Sequence, residues 1–158
     1  MEEVKHIRIT WGTGTARTRL AAFDAALHDA GIANFNLIKL SSIIPRGWKI
    51  REERLSLDKN AAGKRLYVVL SSCIENRKGK TAVAGIGWST DKKGDGVLIH
   101  LEGTTLSEVR MHIRTTFSDM KRYRKAAYTP LTIRTAHITC TKKPVCAQVV
   151  AVFKTEHW

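Results

Sequence analysis

At 158 residues, 43% of them hydrophobic, the chain has the length of one domain and can bury a substantial core. Lys and Arg total 27 against 14 Asp and Glu, a net charge of +13. Such an excess attracts nucleic acid, anionic lipid or acidic partners and slows the approach of a cationic substrate. No apolar run approaches the roughly 18 residues that cross a bilayer. The acidic start Met1-Glu2-Glu3-Val4-Lys5 lacks a signal-peptide core, which predicts a cytoplasmic protein. Cys73, Cys140 and Cys146 show no close pairing, and the histidines show no ligand spacing, so neither a disulfide scaffold nor a metal site is expected.

Taken in chain order, Val4–Trp11 alternates and reads as a strand, with Gly12-Thr13-Gly14-Thr15 as a loop after it. A helix is expected from Thr18 to Ala30, its apolar face made by Leu20, Phe23, Leu27 and Ala30, with Gly31 as the residue that ends it. Phe35–Leu40 is a second strand. The stretch 46–64 is polar and mixed, with room for one short strand. Arg65–Ile74, Lys80–Ser89 and Gly96–Leu101 read as a three-strand antiparallel meander, with turns at Asn76–Gly79 and Asp91–Gly96. A longer helix runs from Leu106 to Ala126, opened by a Thr105-x-x-Glu108 capping box. Its buried stripe is Leu106, Val109, Ile113, Phe117 and Met120. Leu131–Cys140 and Val145–Thr155 read as a closing hairpin. With two helices and this many strands, every apolar face is satisfied by an α+β fold, a four-layer αββα sandwich with mostly antiparallel sheets, formed by 1–158 as one domain.

The chemistry concentrates where the second strand stops, at Ser41-Ser42, followed by the stiff pair Ile43-Ile44 and the redirecting Pro45 and Gly47. A serine hydroxyl held against the preceding carbonyl gains a large proximity advantage. Ser42 can then turn the amide between Ser41 and Ser42 into an ester, and elimination and hydrolysis leave a pyruvoyl group at position 42. The reaction needs a donor for the oxyanion. Asn36, an even six residues before Ser42, shares its face if the strand continues and is a candidate for that donor. Asp24 sits four residues after Leu20 and three before Leu27, on the expected apolar face, where a carboxylate needs a partner.

The segment Asn36-Leu37-Ile38-Lys39-Leu40-Ser41-Ser42-Ile43-Ile44-Pro45 resembles the pyruvoyl-dependent arginine decarboxylases. So do Ala22–Leu27 and Ala30–Asn34 before it, and, more loosely, Gly85–Gly87 and Gly96–Gly103. That resemblance implies self-cleavage into a β chain (1–41) and an α chain (42–158), and homotrimers with active sites between neighbouring subunits. It implies a covalent pyruvoyl cofactor from Ser42 that forms a Schiff base with an amino-acid substrate, so that arginine gives agmatine and carbon dioxide. Asn36 matches the residue that assists processing, and Asp24 the acid that holds the guanidinium. The family's proton-donating Glu is replaced by His100, with Glu102 two residues on and on the same strand face. Either can donate a proton, and the replacement leaves open a homologue that acts on another amine or has lost turnover.

The densest basic cluster, Lys121, Arg122, Arg124 and Lys125, supports a lesser alternative, a small basic nucleic-acid-binding protein. Cations at a helix end also complement its dipole, and no motif of a nucleic-acid-binding fold accompanies them.

Overall fold

The first strand, β1 (His6–Thr15), is longer than the alternation suggests, because Gly12 and Gly14 continue it instead of starting a loop. The computed structural model describes residues 4–56 and 59–158, so the start at Met1–Glu3 and Leu57-Asp58 in the polar stretch lie outside the described residues. A Cβ on Gly12 would lie 2.5 Å from the Ala26 carbonyl oxygen, and one on Gly14 the same distance from the Ala26 nitrogen. The two glycines therefore let helix α1 (Arg19–Asp29) lie almost directly on the strand.

Thr18 caps α1 through the Ala21 N–H, and the buried face is Ala22, Ala26, Leu27 and Ala30, with Phe23 beside it. Leu20 does not join that face and is 77% exposed. Small alanines, rather than the larger apolar residues, set the contact, because the glycines bring the backbones so close. Asp24 consequently stands on the solvent side of α1.

The remaining strands are β2 (Asn36–Lys39), β3 (Ile43–Ile44), β4 (Lys49–Glu52), β5 (Arg65–Glu75), β6 (Thr81–Thr90), β7 (Gly96–Gly103), β8 (Thr132–Thr139) and β9 (Val145–Glu156). One sheet has the order β2-β5-β9-β1-β4 and the other β3-β7-β6-β8. The β1–β4 and β2–β5 pairs are parallel, and the other pairs are antiparallel. The expected meander is therefore only half present. β6 and β7 pair, but β5 belongs to the other sheet. Likewise β8 and β9 do not form a hairpin, because the turn at Thr141–Pro144 carries the chain from one sheet to the other.

Helix α2 (Leu106–Arg124) covers the second sheet, burying Val109, Ile113 and Phe117. Gly85 and Gly87 make room for Val109 and Ile113. Thr105 accepts the Glu108 N–H at 3.1 Å, while the Glu108 carboxylate takes the N–H of Thr104, one residue before the capping-box position. Between the sheets lies the main core, with Ile7, Ile9, Val69, Ile86, Leu98, Ala147 and Val149. The layers are thus helix, sheet, sheet, helix, an α+β sandwich as the patterning predicts. The three cysteines are free thiols. Among the described residues no helix is long and apolar enough to cross a membrane.

Candidate active site

Ser41 and Ser42 form the link between the two sheets. β2 ends on the edge of the first sheet, where the Leu40 N–H still bonds the Val68 carbonyl at 2.8 Å. β3 begins at once on the edge of the second, with Ile43 opposite Val97 and Ile44 opposite Gly96. The Ser42 carbonyl accepts the Leu98 N–H at 2.8 Å. The bond between Ser41 and Ser42 therefore joins two anchored strands.

Within that link, the Ile43 N–H donates to the Ser41 carbonyl at 3.0 Å, closing a three-residue turn around Ser42. Ser42 has no positive φ, so this turn is of the common inverse kind. Downstream, Pro45–Trp48 closes a tight turn with Gly47 at φ 81°, a position that favours glycine. Arg46 ties that turn to the β6–β7 loop through two bonds to Asp95, 2.9 and 2.5 Å long. The guanidinium holds the Asp95 carboxyl below the usual carboxylate range.

The Ser42 hydroxyl meets His100 Nδ1 at 3.0 Å. Both belong to the edge of the second sheet, where β3 and β7 fix their relative register. Glu102 lies two residues along β7 on the same face and is exposed, as His100 is. Opposite it stands Cys73, whose thiol is pushed up chiefly by burial and also by the charge of Glu102. A cavity of about 680 Å³ opens beside Leu40, lined also by Trp48, Tyr67, Phe153 and Lys154.

Two of the expected site residues do not join this cluster within one chain. The strand does not continue from Asn36 to Ser42: β2 stops at Lys39. Asn36 lies about 17 Å of extended chain before the link, at roughly 3.3 Å per residue. Its Nδ2 donates to the Gly63 carbonyl at 3.0 Å. Asp24 is not on the apolar face of α1; its partner is His28, 3.4 Å away. Since α1 packs on the outer side of the first sheet, that sheet separates Asp24 from Ser42. Sequence reasoning missed the Ile43 N–H as a donor to the Ser41 carbonyl, and no side-chain pattern signals it.

Residues 6–157 match the family described as pyruvoyl-dependent arginine decarboxylase (PvlArgDC). A protein of that name from Halobacterium salinarum is 36% identical over 115 residues, covering 69% of this chain and 68% of the relative. The pyruvoyl-dependent arginine decarboxylase 2 of Archaeoglobus fulgidus is 28% identical over 118 residues, covering 73% and 75%. A relative from Thermoplasma volcanium is 40% identical over 83 residues, which is 52% of this chain and 46% of that one. The family match runs from the first strand to the last and contains the serine link between the sheets, and on that ground the chain belongs to the pyruvoyl-dependent arginine decarboxylases.

Proposed function

We propose that the chain cuts itself between Ser41 and Ser42, carries a pyruvoyl group at position 42, and decarboxylates arginine to agmatine and carbon dioxide. The observation that carries this reading is the exposed serine link slung between two sheets, with the Ser41 carbonyl already accepting a hydrogen bond and the Ser42 hydroxyl against an imidazole. The residues around Ser42 fit such a group: the nucleophile is in place, and a proton-carrying side chain stands beside it. Once formed, the keto group supplies an electron sink for loss of the substrate carboxylate. His100 supplies the proton that replaces carbon dioxide, and Glu102 is the next acid on the same face. Between these two, the contact with Ser42 favours His100.

Asp24 is the carboxylate we assign to the substrate guanidinium. It is exposed, and its ion-pair partner among the described residues is the neighbouring His28. A sheet lies between it and Ser42 in one chain, so it serves the Ser42 of a second copy, and the working unit is an oligomer with shared sites. The trimer that the family resemblance implies satisfies this requirement.

The test is denaturing electrophoresis with intact mass of each fragment. Two fragments are expected, 1–41 and 42–158, the larger blocked by a keto acid. Release of carbon dioxide from arginine, against a panel of other amino acids, identifies the substrate. A single uncut chain with an ordinary serine at position 42 would end this reading.

A further inference from the structure

We propose that His100 is the base of self-cleavage and that the Ile43 N–H is its oxyanion donor, so that one chain holds the whole cleavage apparatus. The inference rests on the self-processing reading above. A serine hydroxyl is a weak nucleophile until a neighbouring base takes its proton. His100 Nδ1 stands 3.0 Å from Ser42 Oγ, within the reach that proton transfer requires. The same sheet edge fixes both groups, because the Leu98 N–H, two residues before His100, holds the Ser42 carbonyl at 2.8 Å. The electrophile is prepared as well: the Ser41 carbonyl oxygen, where negative charge develops, accepts the Ile43 N–H at 3.0 Å. Asn36, the side chain expected as donor, is occupied by Gly63 instead.

The step balances without an oxidant. The Ser42 hydroxyl proton passes to Nδ1, Oγ bonds to the Ser41 carbonyl carbon, and the bond from that carbon to the Ser42 nitrogen breaks. The imidazolium returns the proton to the departing nitrogen, leaving an ester and a neutral imidazole. Loss of the residue 42 Cα proton to solvent then breaks the Cβ–Oγ bond and releases Ser41 as a carboxylate. The dehydroalanine left at position 42 takes up water and loses ammonia, which yields the keto group. A carboxylate at position 100 would be a weaker base for the first transfer; an imidazole is suited to both directions of it near neutrality.

Cleavage and turnover then divide between chains. Cleavage needs one copy, whereas the substrate site needs Asp24 from another. The experiment follows fragment formation by electrophoresis and mass in the native chain, H100A, H100Q and S42A. The native chain should be cut. H100A and H100Q should be cut at least ~10²-fold more slowly, the scale of a lost general base. Imidazole added to H100A should restore cutting, and added to S42A should not. Glutamine retains hydrogen-bonding capacity but takes no proton, and position 100 is exposed, so its replacement spares the core. Cutting of either His100 variant within threefold of the native rate overturns the proposal while leaving self-processing intact. An uncut native chain overturns self-processing itself.

Discussion

The guanidinium of Arg134, on β8 of one sheet, lies 4.1 Å from the ring centre of Trp11, on β1 of the other. Its Nε also bonds the Glu52 carboxylate of β4 at 2.7 Å. Arg54 approaches the same Trp11 ring at 5.6 Å and reaches back to Asp29 at the end of α1. A cation on an aromatic face and an ion pair together close the edge of the sandwich away from the serine link. R134A is expected to lower unfolding stability by about 1–2 kcal/mol, and R134K to recover only part, since an ammonium cannot stack and bond at once. Denaturant midpoints measure both, and fragment formation should be unaffected.

Gly12 and Gly14 set how closely α1 sits on its sheet. A methyl at either position meets backbone atoms of the helix at 2.5 Å, which no rotamer change relieves. G12A and G14A should each cost about 1–3 kcal/mol through displacement of α1. Thermal unfolding measures the loss, and an unchanged midpoint would mean that the helix is free to move outward.

Glu75 closes β5 with an unusual concentration of donors. Its Oε1 accepts the N–H groups of Asn76 and Arg77 at 2.9 and 2.8 Å, and the Arg77 guanidinium bonds both oxygens. Arg77 first, and these N–H groups with it, bring the carboxyl down from its ordinary 4.5 to about 2. A depressed value in the folded state means that the stabilisation is complete above about 4.5 and is lost as the pH falls towards about 2. The stability difference between the native chain and E75Q should therefore be constant above pH 4.5 and shrink on acidification. Other carboxylates titrate in both proteins and cancel.

Asp24 should matter to binding and not to cleavage. D24N is expected to be cut normally and to raise KM for arginine about tenfold or more, the scale of a lost hydrogen bond to a charged group of ~1.5–3 kcal/mol. If sites are shared, D24A and S42A chains expressed together should form mixed oligomers in which some sites recover the native KM for arginine that D24A alone lacks, because those sites pair an intact Asp24 with an intact Ser42. Absence of any recovery in proven mixed oligomers would place both residues in one chain's site.

Periodicity alone marks most of the elements and the layering, and it makes Ser41-Ser42 the candidate bond for cleavage. Periodicity marks α2 and its buried stripe because a helix must turn one face to a sheet, and Ser41-Ser42 stands out because a strand ends there in two hydroxyls before Pro45. The contact between Ser42 and His100 is another matter: 58 residues separate them, and only the pairing of β3 with β7 brings them to 3.0 Å. Local patterns cannot distinguish a hairpin from a crossing between sheets, since both need only a turn between two apolar runs. For that reason the β5–β6 and β8–β9 connections, and the link at Ser41 itself, became visible as crossings only in three dimensions. The face of Asp24 was decided in the same way. Helical spacing allows it beside Leu20 on either side, and the close seat of α1 on Gly12 and Gly14 admits alanines inward and turns Leu20 and Asp24 out to solvent.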